Sequence, residues 1–272
     1  MPHRPIITLT TDFGLNDHFV GAMKGVILDI VPEAAIVDIS HAVQAFDVLD
    51  GALSISQAYS YFPNGTIHVA VVDPGVGSER RPILASSDGY HFVAPDNGVL
   101  SMVYAKEERM HVRHITSEHY FRQPVSATFH GRDVFAPVAA YLAKSVDSHK
   151  FGDEIEDYVK FAAPKPKAVA ENRLRAVVLK VDKFGNLITN VTAEDVPALF
   201  AGGAFKIIVG KSEISAIHSA YAEGKPGEVF GILGSMGYLE IVANRAPAAQ
   251  ITGAAKGSEV SILLGEAAAA GA

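Results

Sequence analysis

The chain has 272 residues, 49% of them hydrophobic and 19% charged, with a formal net charge of −7. That length suits one large domain plus one smaller one, and the balance of apolar to charged residues is that of a well-packed soluble globule. The negative charge argues against nucleic acid as a partner, because phosphate recognition needs a basic face. Cysteine is absent, which excludes disulfides, thiolate nucleophiles and cysteine-bound metals and points to a cytoplasmic home. No apolar run approaches a membrane span, and the opening MPHRPIITLTTDFG lacks the anatomy of a signal peptide, so no membrane partner is expected.

Strand-like and helix-like patterns alternate through the first half. PIITLTT (5–11) reads as a buried strand closed by Asp12, Phe13 and Gly14. From Asn16, read as a helix cap, Phe19, Met23, Val26, Ile27 and Ile30 recur at helical spacing. AAIVDIS (34–40) reads as strand, DVLDGALSISQAYSYF (47–62) as helix and TIHVAVVD (66–73) as a second buried strand. This rhythm implies right-handed crossovers and an α/β domain with a central, mostly parallel sheet. PILASSDGYHFVAP (82–95) reads as a hairpin turning at Asp88-Gly89. A helix near 98–106, a short strand near 110–115 and a helix from Arg132 to Lys144 complete the α/β domain, which is expected over 1–163.

AAPKPKAVAE (162–171), with two prolines and alternating small and charged residues, reads as a linker centred on 164–171. Beyond it come RLRAVVLKVD, NLITNV, AFKIIVG, EISAIH, EVFGILG, YLEIVA and EVSILL, short β-type runs divided by turn residues. They predict a smaller all-β, barrel-like domain over 172–265. The last residues, EAAAAGA, read as a disordered tail.

Four polar clusters fall at strand ends or turns, where α/β proteins place their chemistry. In TTDFGLNDHF (10–19) Asp12 leaves the first strand beside a glycine, where a carboxylate can accept from a ribose diol; read alone, it is equally a turn carboxylate. In VVDPGVGSERRP (71–82) Asp73 ends a very apolar strand, and a desolvated carboxylate there needs a cation such as Arg80 or Arg81. The alternative is a structural ion pair closing the loop. TFHGRDVFAP (128–137) sets His130, Arg132 and Asp133 at a helix mouth, where the histidine can donate a hydrogen bond or shuttle a proton, or serve structure alone. VDKFGNLITN (181–190) and GSMGYLEIVANR (234–245) place Asp182, Asn186 and Ser235 where they can bind an amino acid's charged groups, with Phe184 open to a flat base. Taken separately, these two segments read as hairpin turns.

Taken together, TDFG (11–14), VVDPGVG (71–77), PDNG (95–98), FHGRDVFAP (129–137), DKFGNLITN (182–190) and GSMGYLEIVAN (234–244) resemble, in order and over nearly the whole chain, the SAM hydroxide adenosyltransferases. These adenosyl-forming hydrolases of S-adenosylmethionine (SAM) are relatives of the fluorinase and chlorinase. The resemblance implies an amino-terminal α/β domain, a carboxy-terminal β-barrel and a homotrimer with SAM held between subunits. It implies Asp73, Arg80 and His130 as the catalytic group around a nucleophilic water. Asp12 would hold the ribose hydroxyls with Asp17 close by, and Phe46 would wall the pocket where the halogenases have a tryptophan. Asp182 and Ser235 would bind the methionine part, with Phe184 and Asn186 near it and the adenine. Tyr221 would stack on adenine, whose edge would meet the Asn244–Arg245 backbone.

Two departures from the halogenases stand out. Asp73 replaces their uncharged tyrosine, and Met236 replaces a fluorinase arginine able to grip the methionine carboxylate. A carboxylate at 73 repels chloride or fluoride, which favours hydrolase over halogenase. SAM is then substrate, and neither a cofactor nor a metal is expected, since no spacing matches a zinc pattern such as H-E-x-x-H. A SAM-dependent halogenase and a non-catalytic SAM- or adenosine-binding protein are the competing readings.

Overall fold

A computed structural model describes residues 4–265, so the tail EAAAAGA lies outside the described residues. The chain divides into two compact units, 1–162 and 163–272.

The first unit runs β1 (Ile6–Thr11), α1 (Phe19–Ile30), β2 (Ala35–Ser40), α2 (Val48–Ala58), β3 (Thr66–Val71), β4 (Pro82–Ser86), β5 (Tyr90–Pro95), α3 (Ser101–Tyr104), β6 (His111–His114) and α4 (Ala136–Ala143). Its six strands lie in the order β2-β1-β3-β5-β4-β6. The β2-β1-β3-β5 portion is parallel. The hairpin expected over 82–95 inserts β4 antiparallel to both β5 and β6, so the sheet is mixed. Residues alternate between its faces. Ile7, Leu9, Val69, Val71, Leu84 and Val93 pack with residues of α1 and α4. Ala70, Val72, Ile83, Ala85, Phe92 and Ala94 pack on the other side with Ile55 of α2 and Val103 of α3.

Two helix starts differ from the sequence expectation. α1 begins at Phe19 rather than at an Asn16 cap. Residues 12–18 are instead an irregular loop, tied back where the Gly14 N–H donates to the His41 carbonyl at 2.8 Å. The helix expected from Arg132 opens with a π-helical turn, Gly131–Phe135, before α4. Pro137 explains the break. It has no N–H for the Asp133 carbonyl four residues back, which accepts from the Arg122 N–H at 2.8 Å.

The second unit contains β7 (Lys167–Ala170), β8 (Arg173–Val181), β9 (Leu187–Thr192), α5 (Pro197–Phe200), β10 (Phe205–Val209), β11 (Ser212–Ile214), β12 (Ile217–His218), β13 (Val229–Leu233), β14 (Tyr238–Ala243), α6 (Ala248–Thr252) and β15 (Glu259–Leu264). β7 occupies part of the segment read as a linker and pairs antiparallel with β8. All four of its residues are exposed, so it carries no buried periodicity to betray a strand. The main path is β11-β10-β15-β8-β9-β14-β13-β12. Its two ends are separated in sequence only by Ser215 and Ala216. Eight flat strands would hold those ends roughly 34 Å apart at about 4.8 Å per strand, against a reach of about 10 Å. The sheet therefore curls into a half-barrel, filled by Leu187, Val191, Ile207, Leu239, Val260 and Ile262. Among the described residues no helix is long and apolar enough to cross a membrane.

His68 in β3 is fully buried, with Nδ1 2.7 Å from the Thr8 hydroxyl and its ring stacked on Phe92. Burial lowers its pKa from 6.5 to about 3, so it folds uncharged. The unfolded chain takes up a proton near 6.5 that the folded chain refuses, so this residue costs stability as pH falls from 6.5 to about 3. Urea unfolding of wild type and His68→Phe at pH 7.5 and 5 should show a shallower acid loss in the variant; parallel losses would contradict this assignment.

Candidate active site

The parallel strands β1, β3 and β5 all run toward one edge of the first sheet. An aspartate follows each of them: Asp12, Asp73 and Asp96. Carboxyl ends of parallel strands are where open α/β sheets bind ligands.

Asp73 stands at the end of a strand buried along its whole length. The loop after it turns back, so that Arg80 meets it in a two-pronged pair. Arg80 Nε donates to Asp73 Oδ1 at 2.9 Å, and Nη2 donates to Oδ2. The two side chains are only 9% and 4% exposed, so the pair is desolvated. The same Nη2 reaches His130 Nδ1 at 3.0 Å, and the guanidinium lies 5.2 Å from the Phe135 ring centre. A guanidinium can only donate, so Nδ1 of His130 is the acceptor and the ring's proton sits on Nε2. Burial first, and then the Arg80 charge, hold the His130 pKa below its ordinary 6.5, which keeps the ring neutral. Among the described residues, buried Nη1 of Arg80 has no hydrogen-bond partner. The three residues singled out at 73, 80 and 130 thus form one contact chain. The other polar members of those clusters turn elsewhere. Arg132 pairs with buried Asp133 through two 2.7 Å contacts, and Asp133 also accepts from the Ser126 N–H at 2.9 Å, pinning the strand-free segment before His130.

Asp12 Oδ2 accepts from the Phe46 N–H at 2.8 Å, holding Phe46 at φ 65°, a conformation rare outside glycine. The Phe46 ring is 74% exposed, and Asp17 is exposed on the same loop as Asp12. Beneath them is a support that the sequence did not reveal. Buried His41 joins Thr11 (2.8 Å from Nδ1) to Asp38 (3.0 Å from Nε2), and Asp38 pairs with Lys24 at 2.6 Å.

In the second unit Asp182 organises the β8–β9 turn. Its Oδ1 accepts from the N–H groups of Phe184 and Asn186, and its Oδ2 accepts from Asn186 Nδ2, each at 2.8 Å. Phe184 is thereby pushed outward, 77% exposed. Phe184, Asn186, Tyr221, Asn244 and Arg245 line one cavity of about 710 Å³, inside the usual size range of small-molecule sites. The Asn244 carbonyl accepts from the Gly227 N–H at 2.9 Å, and its Nδ2 donates to the Gly224 carbonyl at 2.7 Å, so that segment is rigidly held. Ser235 is exposed in the β13–β14 turn and is not among the lining residues. Lys183, Pro247 and Gln250 also line the cavity and were not anticipated. Nor was Glu240, a buried carboxyl within 3.4 Å of the Tyr221 hydroxyl. Burial and the Asp182 charge raise the pKa of Glu240, and burial and Glu240 raise that of Tyr221. An acidic residue alternating with apolar ones in YLEIVA carries no sequence signal beyond an ordinary outward-facing strand position.

The chain matches the family models for the SAM hydroxide adenosyltransferase N-terminal domain over residues 7–152 and C-terminal domain over residues 176–261. The chain therefore belongs to the SAM hydroxide adenosyltransferase family. It is 37% identical to the (R)-S-adenosyl-L-methionine hydrolase of Methanocaldococcus jannaschii over 87% of each chain. To the Salinispora tropica hydrolase of the same name it is 35% identical, over 97% of this chain and all of that one. The Nocardia brasiliensis fluorinase is 28% identical over 96% of this chain and 98% of its own. A solved structure of an uncharacterized conserved protein from Thermotoga maritima superposes with a TM-score of 0.87 at 35% identity, covering 94% and 99% of the two chains.

The loop joining Asp73 to Arg80 is tight at Gly77, where φ is 76° and a Cβ would lie 2.2 Å from the Ala127 carbonyl oxygen. Gly202 has a similar φ of 82° with nothing within 4 Å. Gly77→Ala should therefore lose more stability than Gly202→Ala, about 2–3 kcal/mol against about 1 kcal/mol. Equal losses in urea unfolding would show that the contact with Ala127 does not constrain the loop.

Proposed function

We propose that this chain hydrolyses S-adenosylmethionine to adenosine and L-methionine, by attack of one water on the ribose C5′. The observation that carries the reading is the buried Asp73–Arg80–His130 contact chain at the carboxyl edge of the first sheet, in a chain of this family. The hydrolase relatives are named for the (R) form of S-adenosyl-L-methionine. Because L fixes the α-carbon, (R) describes the sulfonium, and we take that epimer as the substrate.

The sulfonium is already an excellent leaving group, so methionine departs without a general acid. The C5′–S electron pair passes to sulfur, the water oxygen bonds to C5′ and one proton is released. What the reaction lacks is an aligned nucleophile, and holding water behind the C5′–S bond contributes roughly 7–11 kcal/mol toward the barrier. In this reading the tautomer sets the roles. His130 Nδ1 is occupied by Arg80, so the ring presents only its Nε2–H and orients the water as a donor. Asp73 keeps free lone pairs beside Arg80 and takes the proton. Arg80 fixes both partners and balances the negative charge that develops on the nucleophile. A carboxylate in this place repels halide ions, which favours hydrolysis over the halogenation of the fluorinase relatives.

In the same reading Asp12 and Asp17 address the ribose, with Phe46 as a wall. Asp182 and Ser235 bind the methionine part, and Phe184, Asn186, Tyr221, Asn244 and Arg245 form the adenine-side surface. The 710 Å³ cavity supports that last assignment. The 74% exposed Phe46 and 77% exposed Phe184 are large rings open to solvent in an isolated chain. They fit a homotrimer in which neighbouring subunits complete the site. The chain needs no cofactor, and it acts in the cytoplasm.

Asp73→Asn keeps the shape of the carboxylate but removes the proton acceptor. With separated sulfonium epimers, wild type should consume the (R) form, and the variant should lose at least about 100-fold in kcat with little change in binding. Wild-type turnover in the variant, with weakened binding instead, would remove Asp73 from the chemistry.

A further inference from the structure

The PDNG run at 95–98 belongs to the family resemblance, yet the catalytic reading gives it no task. Its two polar side chains hold opposite ends of the loop that carries Asp73 and Arg80. Asn97 Nδ2 donates to the Val72 carbonyl at 2.8 Å, and Asn97 Oδ1 accepts from the Val99 N–H at 3.1 Å. Val72 immediately precedes Asp73. Its carbonyl lies in the peptide plane joining the two residues, so fixing that oxygen fixes the direction in which Asp73 leaves the sheet.

Asp96 grips the other end. Its side chain is 2% exposed. Oδ2 accepts from Arg81 Nε at 2.9 Å and from Nη2 at 2.7 Å, and the Asp96 N–H donates to the Arg81 carbonyl at 2.8 Å. Its other oxygen, Oδ1, accepts from the Val159 N–H at 2.7 Å. Arg81 immediately follows Arg80, and its outer nitrogens reach Asp157 Oδ1 at 2.8 Å and the Asp157 carbonyl at 2.9 Å. Gly98, at φ 92°, lets the chain turn away at once, and Phe161 fills the space a Cβ would need.

Resting on the reading of Asp73, Arg80 and His130 as the group around the water, we propose that Asp96 and Asn97 are positioning residues, a two-point clamp that sets the separation and angle of Asp73 and Arg80. The loop between the clamped ends turns through Gly75 and Gly77, and the close approach of Gly77 to Ala127 fixes its middle but not its two ends. Without the clamp, the buried pair can find other geometries that still satisfy its charges. Those geometries move Arg80 off His130 and misalign the water.

Three variants test this: Asn97→Ala, Asp96→Asn, which keeps the shape and loses the charge, and Asp157→Ala as a control that removes one exposed ion-pair partner of Arg81 and leaves the contacts of Asp96 and Asn97 in place. Two readouts are needed, steady-state kinetics and the His130 ring titration followed by NMR. Burial lowers the His130 pKa most; of the charges facing the ring, Arg80 lowers it further, while Asp73 and Asp133 raise it. Loosening Arg80 should therefore let His130 titrate higher. Both clamp variants should lose at least about tenfold in kcat with KM within about threefold, because a small misplacement of reacting groups costs rate more than binding. Asp157→Ala should match wild type in both readouts. Wild-type kcat and an unmoved His130 titration in either folded clamp variant would overturn the proposal. A wild-type protein inactive on SAM would refute the functional reading instead, and the His130 titration alone would then decide whether the clamp positions Arg80.

Discussion

A guanidinium donates hydrogen bonds and never accepts them, and the first unit turns on that constraint at Arg80. One nitrogen of Arg80 contacts both Asp73 and His130, so the position of a single side chain sets the tautomer of the ring. A buried ion pair of this kind contributes little net stability, because desolvation offsets most of the attraction. What it supplies is a fixed arrangement: a carboxylate with lone pairs to spare, a neutral imidazole with one N–H to offer, and a guanidinium N–H group that has no partner among the described residues. In the proposed reading that set serves a water nucleophile, and the sulfonium leaves without help from an acid.

The surroundings serve that geometry. A mixed sheet brings the ends of β1, β3 and β5 together because those strands are parallel. The sheet's two faces are sealed by separate apolar layers that hold the strand ends in register. The π-helical turn set off by Pro137 shapes the segment that presents His130. Asp133, fully buried beneath it, is committed to Arg132 and the Ser126 N–H rather than to the chemistry. In the second unit the same economy appears at Asp182, one carboxylate ordering a whole turn so that Phe184 faces outward and Asn186 faces the cavity.

Much of this was legible in the sequence, for identifiable reasons. Buried strands such as HVAVV announce themselves as short unbroken apolar runs, amphipathic helices such as DVLDGALSISQA by their period, and an aspartate closing an apolar strand announces a need for a partner. That the partner is Arg80 rather than Arg81 was not decidable from spacing, since only the loop's path separates adjacent arginines. β7 stayed hidden because an exposed edge strand of small and charged residues has no apolar face. The roles proposed for Asp96 and Asn97 stayed hidden because they rest on contacts with a neighbouring loop, and that of His41 because it joins side chains of two different strands, contacts that leave no periodic trace. Glu240 was invisible for the opposite reason, since its strand looks ordinary until the sheet curls.

Attack of water at C5′ is tested most simply by following the fate of its oxygen. Purified protein incubated with (R)-S-adenosyl-L-methionine in ¹⁸O-labelled water, followed by mass spectrometry, should yield unlabelled methionine and adenosine carrying ¹⁸O at its 5′ oxygen. Methylthioadenosine as the product, or substrate recovered unchanged while still bound, would mean that water does not attack C5′ in this site.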